Sequence, residues 1–208
     1  MSTAPDTIDA IMQTAPVIPV LVLQEEMDWA ALAATFVEAG LPVLEITLRT
    51  PLALEAIRQM AHVPGAIAGA GTVLNAGQLD EALEAGSRFI VSPGLTEPLA
   101  RAARDAAVPF LPGIATAADI MRGLDAGLDR FKFFPAEASG GIPALKALAG
   151  PFGDVRFCPT GGIRVDTAAD WLSLDPVLCV GGTWFVKPGD ELAAIRDRAR
   201  SAASLRRP

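Results

Sequence analysis

The sequence predicts an α/β protein, a compact (β/α)8 TIM barrel forming a single domain over residues 1–208, with a short N-terminal helix ahead of its first strand. Three observations point there. Eight short apolar runs alternate with eight helical patterns from one end of the chain to the other, the rhythm of a parallel sheet covered by helices. The first run leads into Leu23-Gln24-Glu25-Glu26 with no glycine, whereas the rival doubly wound sheet normally carries a glycine-rich fingerprint at that turn. The glycine pairs come late instead, as Gly161-Gly162 and Gly181-Gly182 after the seventh and eighth runs, where a barrel often places an anion site. At 208 residues the chain is shorter than the usual ~250, yet long enough to bury one good core.

Taken in order, the strand-like runs are 17–23, 42–48, 66–70, 88–91, 108–111, 130–134, 155–158 and 177–180. Helical patterns lie between them at 29–39, 52–60, 76–85, 98–107, 117–126, 142–149 and 167–172, and a last one follows Pro188. Asn75 and Thr96 stand where N-caps belong, Thr116 with Asp119 three residues on makes a capping box, and Asp166 opens the next helix. Gly40, Gly86 and Gly127 close three helices.

Composition excludes several classes. With 51% hydrophobic and 20% charged residues the chain can pack a core, which argues against disorder. A net charge of -7, with the Arg206-Arg207 pair as the main basic cluster, argues against a nucleic-acid partner. Cys158 and Cys179 sit in short strand-like runs and read as reduced core residues. His62, the one histidine, lies at a helix end and reads as a surface or capping residue. No His-x-His or carboxylate pair stands at ligand spacing, so neither a metal nor a cofactor is expected. No apolar stretch reaches 18 residues and no secretory signal is visible, so a cytoplasmic protein that avoids membranes is expected. Trp29 and Trp171 read as helix-packing residues, and Trp184 as either core or a subunit contact.

Catalytic groups of a barrel gather at the C-terminal ends of its strands. The run Arg130-Phe131-Lys132-Phe133-Phe134-Pro135 holds one cation inside an apolar stretch. Desolvation there favours the uncharged amine, a usable nucleophile for a carbonyl carbon. The plain alternative is a lysine whose stem packs on phenylalanine while its tip reaches water. In the second strand, alternation puts Val43, Glu45 and Thr47 on one face and Leu44, Ile46 and Leu48 on the other. The apolar set faces the helices, so Glu45 turns inward, where a carboxylate is costly without a partner. Lys132 and Phe134 share the inward face of the sixth strand, opposite the second in an eight-strand ring, so the two long side chains can meet. They form either a catalytic couple or a structural ion pair.

Arg49 follows at the mouth, either clamping a substrate carboxylate or standing as a rim arginine. The third strand ends Gly69-Ala70-Gly71-Thr72-Val73, a backbone that permits close approach, with a hydroxyl at the opening. Pro159-Thr160-Gly161-Gly162-Ile163 and Val180-Gly181-Gly182-Thr183-Trp184 follow successive strands, so their loops are neighbours. Backbone N–H groups there, the Thr183 hydroxyl and a short helical turn beginning at Thr183 would make a phosphate site without a lysine. Simple tight turns are the alternative.

Taken together, these motifs resemble the 2-keto-3-deoxy-6-phosphogluconate aldolase family, class I aldolases of the Entner–Doudoroff route. The matching stretches are Leu44-Glu45-Ile46-Thr47-Leu48-Arg49-Thr50, Gly69-Ala70-Gly71-Thr72-Val73-Leu74, Ser92-Pro93-Gly94-Leu95-Thr96, Phe131-Lys132-Phe133-Phe134-Pro135-Ala136-Glu137, Arg156-Phe157-Cys158-Pro159-Thr160-Gly161-Gly162 and Gly181-Gly182-Thr183-Trp184. The resemblance implies a Schiff-base lysine at Lys132 and a general acid/base at Glu45. It also implies that Arg49 and Thr72 hold the pyruvoyl end with Thr160 near it, and that phosphate binds at Gly161, Gly162, Gly181, Gly182 and Thr183. Thr183 stands where family members often carry serine, and the hydroxyl is kept. The implied partners are a phosphorylated 2-keto-3-deoxy sugar acid, pyruvate and glyceraldehyde 3-phosphate, and the implied assembly is a homotrimer. Rival readings are an aldolase for the C4 epimer, 2-dehydro-3-deoxy-6-phosphogalactonate, or for 4-hydroxy-2-oxoglutarate. Others are a phosphosugar isomerase or epimerase and a non-catalytic phosphate-binding barrel.

Overall fold

A computed structural model describes residues 7–205; the Arg206-Arg207 pair lies outside them. The elements in chain order are α1 (Ile8–Gln13), β1 (Val17–Leu21), α2 (Trp29–Glu38), β2 (Val43–Thr47), α3 (Ala53–Ala61), β3 (Ile67–Gly71), α4 (Ala76–Glu84), β4 (Ile90–Val91), α5 (Glu97–Asp105), β5 (Phe110–Leu111), β6 (Gly113–Ile114), α6 (Ala117–Asp125), β7 (Arg130–Phe133), α7 (Gly141–Ala149), β8 (Arg156–Phe157), α8 (Ala168–Leu172), β9 (Val180–Gly182) and α9 (Leu192–Ala203). The strands form a curled parallel α/β arrangement of two sheets, ordered β5-β4-β3-β2-β1-β9 and β6-β7-β8. Isolated parallel bridges pair Phe157 with Val177 and Thr160 with Gly181. Among the described residues no helix is long and apolar enough to cross a membrane.

Two strand assignments differ from the sequence expectation. The fifth apolar run supplies β5, but the chain resumes after Pro112 as β6, which pairs with β7 instead of β4. Proline has no N–H to give a ladder and fixes its own φ, so the change of sheet falls there. The carbonyl of Pro112 still accepts the Lys132 amide at 2.9 Å. The last strand lies at Val180–Gly182, further along than the expected 177–180, so Gly181 and Gly182 belong to a strand and not to a loop.

Helices start and stop as their capping chemistry dictates. Asn75 accepts the Gln78 amide, and Thr116 with Asp119 forms a full capping box. Thr96 is an N-cap by backbone shape, with no side-chain cap bond. Asp166 does not open α8: the N-cap is Thr167, and Asp166 is bound to the Arg164 guanidinium. Gly40, Gly86 and Gly127 follow helix ends with φ of +90, +99 and +78. His62 is the C-cap of α3, exposed, with Nδ1 2.6 Å from the Arg58 carbonyl.

Alternation sorts the buried side chains into two clusters. Leu44, Ile46, Phe131, Phe133, Trp29 and Trp171 belong to the large cluster between strands and helices. Ile18, Val43, Ile67, Cys158 and Cys179 belong to a smaller one inside the curl, and Ile11 and Met12 of α1 pack into it. Asp9 of α1 also pairs with Arg130 at the start of β7. Both cysteines are buried and form no disulfide.

Candidate active site

β2 holds Glu45 (3% exposed) because its apolar neighbours Leu44 and Ile46 claim the helix side. β7 holds Lys132 (5% exposed) by the same logic, with Phe131 and Phe133 wholly buried on the other face. The two polar tips meet: Lys132 Nζ donates to Glu45 Oε1 at 2.8 Å and Oε2 at 3.2 Å. Nζ also sits 5.3 Å from the centroid of the Phe134 ring. Two charges buried this deeply persist only when paired. Thr47, the next inward residue, is held by a hydrogen bond from its hydroxyl to the Leu21 carbonyl at 2.9 Å.

Room for the carboxylate comes from β3. A Cβ on Gly71 would come 2.6 Å from Glu45 Cγ and 2.8 Å from its carboxyl carbon. Gly71 therefore has a steric purpose in the pair, which the sequence reading did not find, while Gly69 makes room for the Phe89 ring. The available signal was a glycine at the end of a strand beside one carrying an inward carboxylate.

At the rim, exposed Arg49 and half-buried Thr72 come together, with Arg49 Nε donating to the Thr72 hydroxyl at 3.3 Å. Thr72 has φ +60, a left-handed conformation that a β-branched residue rarely adopts.

The late glycines split into two kinds. Gly161 and Gly162 have φ of +100 and +83, which suit residues without a side chain. Gly181 and Gly182 are extended, and their missing side chains leave space for others. A Cβ on Gly181 would lie 2.8 Å from Thr160 Cγ2, and one on Gly182 would lie 2.5 Å from the Trp184 ring. The Thr160–Gly181 bridge, with the Gly181 amide donating to the Pro159 carbonyl at 2.8 Å, makes the two segments neighbours as expected. Thr160 is 3% exposed and Thr183 is exposed. No helical turn begins at Thr183, so no helix dipole points from there into the site.

A family model of KDPG and KHG aldolases matches residues 8–197. The chain belongs to the KDPG and KHG aldolase family. The KHG/KDPG aldolase of Escherichia coli is 54% identical over 187 residues, covering 89% of this chain and 87% of that protein. The crystal structure of the 2-keto-3-deoxy-6-phosphogluconate aldolase of Zymomonas mobilis with 3-phosphoglycerate superposes with a TM-score of 0.94, at 55% identity and 96% coverage of each chain. That of the Legionella pneumophila KDPG aldolase, with pyruvate captured as a covalent carbinolamine, gives 0.90 at 41% identity, covering 95% of this chain and 98% of that one.

In this KDPG/KHG aldolase family member the mouth contains an amine, a carboxylate in direct contact with it, a guanidinium–hydroxyl pair and a loop with two glycines at positive φ. That set can make and protonate an imine and hold an anion at each end of a substrate. Among the described residues no group of three or more His, Cys, Asp or Glu is disposed to hold a metal ion.

Proposed function

We propose that the chain is a class I aldolase that cleaves 2-dehydro-3-deoxy-6-phosphogluconate into pyruvate and D-glyceraldehyde 3-phosphate through an imine on Lys132, with neither metal nor cofactor. The observation that carries the reading is the buried Lys132–Glu45 pair at 2.8 Å. An ammonium touching a carboxylate can hand it a proton and become the neutral nucleophile the chemistry needs. The amine adds to the C2 ketone, and the carbinolamine loses water, with Glu45 supplying the proton, to leave a protonated imine. Glu45, through a water, then takes the C4 hydroxyl proton. The C3–C4 bond breaks, its electrons enter the iminium as an enamine, and glyceraldehyde 3-phosphate departs. Glu45 returns a proton to C3, and hydrolysis of the imine frees pyruvate and the amine.

Arg49 and Thr72 hold the pyruvoyl carboxylate, with Thr160 beside it. Gly161, Gly162, Gly181, Gly182 and Thr183 line the phosphate site: the Gly161-Gly162 loop offers backbone N–H groups and Thr183 its hydroxyl, while Gly181, whose N–H is given to the Pro159 carbonyl, and Gly182 leave the space. The pyruvate carbinolamine in the Legionella relative supports the covalent chemistry, and the 3-phosphoglycerate in the Zymomonas relative supports a phosphorylated ligand. The name of the Escherichia coli relative favours 4-hydroxy-2-oxoglutarate as a second substrate. The same reading takes the two sheets as one closed (β/α)8 barrel, bent at Pro112 and sealed beside Thr160, in a single domain over 1–208 with a short N-terminal helix. It takes the protein as a cytoplasmic homotrimer.

Mass spectrometry after borohydride reduction with pyruvate tests the chemistry. One adduct on Lys132 is expected, and none in Lys132→Ala. An adduct on Lys146 or Lys187, or no adduct, overturns the reading in favour of an isomerase or a binding protein. A monomer mass in sedimentation at micromolar concentration overturns the trimer.

A further inference from the structure

The glycine loop after β8 is joined to the segment after β7 by more than chain neighbourhood. The Ala136 amide donates to the Thr160 carbonyl at 2.8 Å and the Glu137 amide to the Gly161 carbonyl at 3.0 Å, so two backbone hydrogen bonds tie the turn after β7 to the loop. The Glu137 side chain then lies across the loop: a Cβ on Gly162 would come 2.6 Å from both Glu137 Cβ and Cγ. Its carboxylate is pinned from the far side, where the indole N–H of Trp171 in α8 donates to Oε1 at 3.1 Å. Trp171 is 1% exposed and its ring lies 6.3 Å from that of Phe133, the residue after Lys132. Glu137 is exposed, and carries a charge beside a loop meant for an anion, so mere filling of space does not account for it.

We infer that Glu137 is a positioning residue for the substrate's phosphate end: held by Trp171, it braces the Gly161-Gly162 backbone with its N–H groups turned to the ligand and couples that loop to the strand carrying Lys132. The inference rests on the proposed phosphate site and deepens it. Its chemistry asks for an acceptor at Oε1 and a stem across Gly162, and glutamine supplies both.

The test compares Glu137→Ala and Glu137→Gln with wild type on the phosphorylated sugar acid and on 4-hydroxy-2-oxoglutarate. Loss of the anchoring hydrogen bond from the buried Trp171 indole corresponds to a KM about tenfold higher. Glu137→Ala is expected to show that rise for the phosphorylated substrate only, with kcat/KM for hydroxyoxoglutarate and borohydride trapping of pyruvate unchanged. Glu137→Gln is expected to restore the wild-type KM, and Trp171→Phe, if folded, to behave like Glu137→Ala. Equal losses on both substrates, no loss on either, or a glutamine variant as impaired as alanine would overturn the inference while leaving the phosphate site standing. A wild-type enzyme that gains nothing from the phosphate would instead bring down the phosphate site, and this inference with it.

Discussion

Two residues apart on β2, Val43 and Glu45 both point inward and are both almost fully buried, yet their surroundings differ in kind. Around Val43 the interior is an apolar plug of Ile18 and Ile67 covered by Ile11 and Met12. Around Glu45 it holds an ion pair, a glycine kept small to admit a carboxylate and, at the rim, a threonine in a left-handed backbone. Apolar burial contributes stability roughly in proportion to area, about 25 cal/mol per Å². Burial of charge and backbone strain draw on that stability. The comparison teaches that one strand can carry the scaffold at its start and the chemistry at its end, divided within a single side-chain alternation.

The largest effect should follow from removing the proposed proton carrier. In Glu45→Gln, cleavage and proton exchange at the pyruvate methyl should fall roughly 10²–10⁴-fold, while borohydride trapping continues, if more slowly. NMR exchange at near-normal rate would show that Glu45 is only Lys132's counter-charge.

At the other end, Ile11→Ala should lower unfolding free energy by about 2–5 kcal/mol in denaturant titration, with kcat/KM unchanged below the transition. A fall in kcat without loss of stability would erase the division between the ends.

Gly71→Ala sharpens the contrast by adding a methyl where the carboxylate stands. Displacing Glu45 by about an ångström should cost on the order of 10²-fold in kcat/KM, with far-UV circular dichroism unchanged. Full activity would mean that Glu45 needs no such fixed place.

The smallest effect concerns the mouth's surface. Burial pushes the Asp119 carboxyl up, but hydrogen bonds from the Thr116 hydroxyl and from the Ala115 and Thr116 amides outweigh it and hold the group below the usual aspartate range. Its stabilisation is therefore present above the unfolded-state value and lost as pH falls through the lower folded one. Thr116→Ala should cost about 1 kcal/mol at neutral pH, and the gap from wild type in thermal melts should narrow through that acid window. Lost turnover at neutral pH would show that this rim is not purely structural.

Much of this was legible in the sequence because period-two and helical patterns are carried by apolar residues. Glu45 and Lys132 were placed by the residues flanking them, and their meeting followed from the fold. The displaced last strand was not legible, since Val180-Gly181-Gly182 has little strand propensity and is extended through its parallel pairing with β1. The change of sheet at Pro112 was hidden inside one apolar run. Glu137 looked like a motif residue with no task, because its partner Trp171 lies 34 positions away and read as plain packing.

The lid of apolar residues that α1 lays over the base of the curl has a consequence in time. Asp9 is made 121 residues before its partner Arg130, and Ile11 and Met12 well before Cys158 and Cys179, with which they share their surroundings. Contacts of such separation close late and slowly. The segment made before these partners thus finds its seat only after they have followed, and until then the apolar floor that α1 covers stays open.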